Sequence, residues 1–335
     1  MSGTRLAAVL GCSGPRLTAE ERAFFNDVRP WGFILFARNV EDPAQVRTLV
    51  AELRESVEDE FAPVLIDQEG GRVQRLRPPH WRNLPAAEKI GALAPDESQE
   101  AAWTLGRLIA EDLSGLGIAI ACAPVLDLRR TETHAVIGDR AFGAEPETVA
   151  SLGRSLCRGL LDGGVLPVTK HIPGHGRATL DSHEALPRVD TGLDELLATD
   201  FKAFELLNDV PLSMTAHVVF EAIDAEHPAS TSVRVISEIV RGAIGFEGLL
   251  LSDDLSMKAL GGGLEARAAA VRQAGCDIAL HCNGEMLEMR AVAAGAGALD
   301  GRAARRAEAA LAWPREIQTC DTAALRGRLD SLIPR

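Results

Sequence analysis

A chain of 335 residues that is 46% hydrophobic and 25% charged can bury a large core and has an ordinary globular composition. Its 35 basic against 48 acidic residues give a formal charge of −13, which argues against nucleic-acid phosphates and anionic membranes as partners. No stretch approaches the roughly 20 apolar residues of a membrane span, and the cysteines at 12, 122, 157, 276, 282 and 320 show neither metal-ligand spacing nor a small-scaffold disulfide pattern. Reduced thiols in a cytoplasmic protein are expected.

From the N-terminus, Arg5 and the apolar run that ends at Gly11-Cys12 resemble a truncated lipoprotein signal. An exported leader needs an apolar region of about 7–15 residues, and Gly11 closes this one too early, so residues 6–10 read as a first buried strand. Thr18-Ala19-Glu20-Glu21 supplies an N-cap and acidic first turn. The second run, 31–37, precedes a helix opened by Asp42-Pro43 and reaching 57, and the third is 62–66. A helix over 97–113 leads to the fourth run, 118–123, which ends at Pro124 and Asp127. A helix over 146–162 leads to the fifth, 164–168, after which Pro173, Gly174 and Gly176 impose a loop. Helices over 193–207, 233–242 and 264–273 then lead to runs at 212–216, 248–251 and 278–280.

Apolar runs alternating with helices describe a parallel α/β repeat, and strands without polar alternation are buried on both faces. Polar clusters follow the third to eighth runs, always at the carboxyl end, where a barrel would gather them into one pocket. The expected fold is a single-domain (β/α)8 TIM barrel over 1–335, with irregular early strands. The glycines form no dinucleotide fingerprint and no phosphate-cradling loop.

The densest cluster is 169–184, with Lys170, His171, His175, Asp181 and His183. Converging carboxylates, imidazoles and cations without thiolates permit acid/base hydrolysis, a metal site or a binding module. His171, His175, Asp181 and His183 could ligate a metal, but their spacing matches no zinc template, so no metal and no organic cofactor is expected.

Asp67-Gln-Glu-Gly-Gly-Arg-Val-Gln-Arg75, Gly138-Asp-Arg-Ala-Phe-Gly143, Lys170-His-Ile-Pro-Gly-His-Gly176, Asp181-Ser-His183 and Ser252-Asp-Asp-Leu-Ser-Met257 occur in the order seen in family 3 glycoside hydrolases. More narrowly, the chain resembles the bacterial β-N-acetylglucosaminidases of peptidoglycan recycling. The resemblance implies an exo-acting, retaining enzyme in which Asp253 is the nucleophile and His183, held by Asp181, is the general acid/base. It further implies that Asp67, Arg75, Arg140, Lys170 and His171 bind a terminal N-acetylglucosamine, with His217 and Met257 lining the site and Asp254 behind it. Lys170, Arg75 or Arg140 is expected to keep Asp253 ionised, and two arginines to keep Asp67 so.

Larger family members can draw the acid/base residue from a second domain, whereas here a barrel loop is expected to supply it. Gly174 and Gly176 suggest that this loop moves to deliver His183. The chain departs from the family pattern at Asp139, where Asn is common, and at Ile172, where an aromatic is common. With no Tyr and 4% aromatics it has few stacking platforms for long glycans. The expected partner is a small glycan bound by a monomer. A β-glucosidase, a phosphorylase of the same family and a catalytically silent sugar-binding protein remain open as alternatives.

Overall fold

In a computed structural model, which describes residues 4–130, 136–178, 180, 182, 185–315 and 317–334, each apolar run pairs with its neighbours along the chain. Strands β1 (Leu6–Leu10), β2 (Pro30–Leu35), β3 (Val64–Ile66), β4 (Ile120–Ala121), β5 (Leu166–Ile172), β6 (Leu212–Thr215), β7 (Leu249–Asp254) and β8 (Ile278–His281) form a closed barrel in which β8 returns to β1. All its pairings are parallel, so the carboxyl ends open on one face. The expected (β/α)8 barrel is the observed architecture.

Alternate residues of each strand serve different cores. Leu65, Leu249 and Leu251 point inward with Val9, Trp31 and Ile120, while Val64, Ile66 and Leu250 pack outward against the helices. Both faces are thus apolar, which is why the runs lack polar alternation.

Helix α1 (Ala19–Val28) starts at a capping box between Thr18 and Glu21, and α2 (Pro43–Ser56) at Asp42, whose carboxylate accepts the N–H groups of Ala44 and Gln45. Helices α3 (Pro95–Ser114) and α4 (Pro146–Asp162) approach through two glycines. A Cβ on Gly106 would lie 2.3 Å from the Leu156 carbonyl oxygen, and one on Gly159 would lie 2.1 Å from that of Trp103.

Three expectations change. The fourth strand shortens to Ile120–Ala121 because Pro124 lacks an N–H, and the segment beyond it follows β5 irregularly through Leu126 N–H donating to the Lys170 carbonyl at 2.7 Å. The fifth strand runs on to Ile172, past the predicted end at 168, because polar side chains are tolerated where a barrel strand faces its pocket. The helix expected over 193–207 breaks at Thr199 into α5 (Leu193–Ala198) and α6 (Asp200–Glu205). Helix α7 (Val235–Ala243) is π-helical, and α8 (Leu264–Ala274) ends at Gly275 in the left-handed region.

Helices α9 (Met286–Ala296), α10 (Gly301–Leu311) and α11 (Thr322–Leu332) were not anticipated. The buried face of α10 is alanine, a weak periodic signal; its Ala307 and Ala310 join Trp313 against the inner core. Among the described residues no helix is long and apolar enough to cross a membrane. All six cysteines are free thiols.

Candidate active site

Beyond β3 the chain turns back in a small hairpin, Gln68–Gly70 against Val73–Gln74. Gly70 and Gly71 make the turn with φ of 99° and 56°, and a Cβ on Gly70 would strike the Pro85 carbonyl oxygen. Gln68 is fully buried and accepts the N–H groups of Arg75 and Leu76, which fixes the arginine relative to the strand.

This hairpin carries one half of a charge network, and β5 and the loop after β4 carry the rest. Asp67 accepts Arg75 Nη2 at 2.9 Å on one oxygen and Lys170 Nζ at 2.8 Å on the other. Lys170 Nζ also lies 2.7 Å from Glu69 Oε1, and Arg140 grips Glu69 with two bonds of 2.8 Å. Burial alone would raise the Asp67 pKa, but Lys170 and Arg75 outweigh it and hold the carboxyl well below its usual range. Glu69 is lowered likewise, with Arg140 and then Lys170 overcoming burial. Lys170 is raised because Asp67 and Glu69 outweigh its own desolvation. Asp67, Glu69 and Lys170 therefore stay ionised on one wall. Arg72, the second arginine expected near Asp67, instead pairs with Asp139 at 2.7 Å.

Across the pocket, β7 ends in Asp253 and Asp254. Asp254 is spent on structure: its carboxylate accepts the Ser256 N–H and hydroxyl and the Cys282 N–H. Asp253 accepts its neighbour's N–H through Oδ1 at 2.8 Å, and Oδ2 receives no hydrogen bond from the described residues. Burial raises the Asp253 pKa, but His171, then His217, the backbone N–H and Lys170 lower it further. Of the expected sources of its charge, Lys170 is among these groups, behind the two histidines, while Arg75 and Arg140 are paired with Asp67 and Glu69.

His171 lines the pocket, and its Nδ1 lies 2.6 Å from Oδ2 of the enclosed Asp127. An N–H on Nδ1 donates to that carboxylate, leaving Nε2 as the free ring nitrogen. Met257 is buried on the same wall. His217 stands behind the wall rather than in it: the ring is fully buried, Nδ1 lies 2.7 Å from Ser230 Oγ, and Nε2 lies 3.1 Å from the Asp254 carbonyl oxygen. Burial lowers its pKa, and its hydrogen bond to the Asp254 carbonyl supports the end of β7. Asp181 and His183 lie outside the described residues.

The pocket holds about 220 Å3, walled by Asp67, Glu69, Lys170, His171 and Asp253, with Phe36 and Met214 also lining it. It is small, polar and charged, suited to one hydroxylated ring rather than a long apolar ligand. Arg75 also stacks on Phe36, 4.9 Å from the ring centre, which partly answers the scarcity of aromatics. Among the described residues no three His, Cys, Asp or Glu side chains are placed to hold a metal ion. Sequence reasoning overlooked Glu69 and Asp127 as site residues. Both follow a strand end by a few positions, a signal that could have marked them.

The glycines at 174 and 176 also gain a different explanation. A Cβ on Gly176 would lie 2.2 Å from the Leu128 carbonyl oxygen, and Gly174 has φ of 148° with Asp200 at 3.1 Å from its added Cβ. Close packing accounts for Gly176, and a left-handed backbone together with close packing for Gly174. Arg177 anchors the same segment on Asp200 at 2.6 Å.

Comparison with known proteins agrees with this geometry. Residues 4–309 match the N-terminal domain of glycosyl hydrolase family 3. A beta-hexosaminidase from Alkalilimnicola ehrlichii is 41% identical over 282 residues, covering 82% of this chain and 80% of that protein. One from Pseudomonas aeruginosa is 41% identical over 278 residues, 82% of either chain. The structure of NagZ from Neisseria gonorrhoeae in complex with N-trifluoroacetyl-D-glucosamine superposes with a TM-score of 0.88 at 34% identity over 99% of both chains. By the length of the match and the identity of these relatives, the chain belongs to glycosyl hydrolase family 3.

Proposed function

We propose that the protein is an exo-acting, retaining β-N-acetylglucosaminidase that removes terminal N-acetyl-β-D-glucosamine, with Asp253 as nucleophile and His183, oriented by Asp181, as acid/base. The observation that carries the reading is the contrast between carboxylates in one pocket. Asp67 and Glu69 are bound to cations, Asp254 is saturated by donors, and Asp253 keeps an oxygen without a donor from the described residues. An ionised oxygen that no hydrogen bond holds can form a bond to carbon.

In the first step Asp253 attacks the anomeric carbon as the glycosidic C–O bond breaks, and the proton of His183 passes to the departing oxygen. Water then attacks the glycosyl ester, giving its proton to His183 and releasing Asp253. Asp67, Arg75, Arg140, Lys170 and His171 would meanwhile hold the sugar's hydroxyl and acetamido groups with charged hydrogen bonds. The beta-hexosaminidase relatives and the bound glucosamine derivative of the gonococcal protein support the choice of sugar. Muropeptides carrying N-acetylglucosamine on 1,6-anhydro-N-acetylmuramic acid, met in the cytoplasm, are the proposed physiological substrates.

The test is trapping with a 5-fluoro N-acetylglucosaminide followed by peptide mapping. A sugar ester on Asp253 is expected. Continued turnover with no ester, or a label on another residue, would overturn the nucleophile assignment and favour attack by the substrate's own acetamido oxygen.

A further inference from the structure

The chain beyond β5 is held at two points that the roles above do not use. The first is Asp127. Its Oδ2 takes His171 Nδ1 at 2.6 Å, while Oδ1 accepts the backbone N–H of His175 at 2.7 Å and that of His171 at 3.3 Å. One enclosed carboxylate thereby fixes a pocket histidine and the backbone four residues further on. The second is the His175 ring, which is 3% exposed and packs edge-on against His171. Its Nε2 lies 3.0 Å from the hydroxyl of Ser182, itself 2% exposed, and the Ser182 carbonyl accepts the Ala259 N–H at 3.2 Å.

Ser182 is the residue between Asp181 and His183 in the sequence. Burial pushes the His175 imidazole down to about 4, so the ring is neutral near pH 7 and joins the hydroxyl through an uncharged bond. His175 Nδ1 is buried with no partner among the described residues, which leaves Ser182 as the ring's one hydrogen-bonded contact there. Breaking that bond strands a buried polar atom, which favours the bonded arrangement. Between the two, Gly176 packs its backbone closely against the Leu128 carbonyl.

We propose that His175 and Ser182 are positioning residues for proton transfer: their hydrogen bond, anchored through Asp127 to His171, ties the residue that precedes the proposed acid/base His183 in the sequence to the pocket wall. The proposal rests on His183 being the acid/base. It assigns work to the second histidine of the Lys-His-Ile-Pro-Gly-His-Gly run, which neither sugar binding nor bond cleavage requires.

The experiment compares kcat/KM for aryl β-N-acetylglucosaminides with good (2,4-dinitrophenyl) and poor (phenyl) leaving groups, because only the poor one needs a proton as it departs. For S182A a loss of about tenfold or more is expected with the phenyl glycoside and about twofold or less with the dinitrophenyl one, a part of the 10²–10⁴ typical of acid/base catalysis. H175A should behave alike, and the double variant no worse than either, since all three remove one bond. Equal losses on both substrates, or none, would overturn the inference, and matched melting temperatures guard against misfolding. H183A is the control. If H183A shows the leaving-group dependence and S182A does not, the positioning role alone is wrong; if H183A lacks it, the acid/base assignment fails and the inference falls with it.

Discussion

At the scale of single residues, the site divides its carboxylates by their partners. As the proposed nucleophile Asp253 must be ionised, and D253N is expected to lower kcat by at least about 10³ with the fold unchanged, checked by steady-state kinetics beside circular dichroism. Burial raises its pKa, but His171 and His217 lead the groups that bring it below the ordinary 3.8. The acid limb of kcat/KM against pH is therefore expected below that value, and a limb above it would contradict the charge assignment. Glu69 holds Lys170 and Arg140 together, so E69Q leaves two buried cations short of a counter-charge. A loss on the order of 3 kcal/mol in urea unfolding is expected at pH 7, together with a raised KM. The folded-state pKa of Glu69 is depressed below 4.5, so this contribution is full above that pH and fades as pH falls through the folded value. The gap between wild type and E69Q should accordingly narrow in acid.

At the scale of elements, close approach rather than hydrophobic mass locates the parts that carry the site. Helices α3 and α4 touch where Gly106 and Gly159 leave no room for a Cβ, and α4 leads directly into β5 with Lys170 and His171. G159A should cost about 1–3 kcal/mol through overpacking. A lowered denaturant midpoint at unchanged m-value would report it. Much of this level was legible in the sequence, since Asp42-Pro43 and Thr18 mark helix starts by local chemistry that needs no tertiary partner. The end of β5 was not. Thr169-Lys170-His171 reads as loop because it is polar, and only the facing pocket makes a strand with such side chains favourable.

At the scale of the molecule, the barrel separates a chemical end from a structural one. Asp277, buried at the start of β8, binds Arg241 of α7 at 2.8 Å and Arg306 of α10 at 3.2 Å, and accepts the Leu250 N–H. These contacts join three elements at the amino-terminal ends of the strands, away from the pocket. D277N is expected to lower stability by about 3–5 kcal/mol, while kcat/KM of the remaining folded enzyme stays near wild type, measured below the melting transition. By itself the sequence determined the strand number and order, the barrel, and the motif residues Asp67, Lys170, His171 and Asp253, because apolar runs and strand-end polar clusters are local patterns. Only the tertiary structure decided which charges cancel. Lys170 meets Asp67 and Glu69 across about 100 residues of chain, |i−j| = 103 for the first pair, and no local periodicity encodes such a pairing. The same closure enlisted Glu69 and Asp127, withdrew His217 behind the wall, and left Asp253 Oδ2 without a hydrogen bond from the described residues.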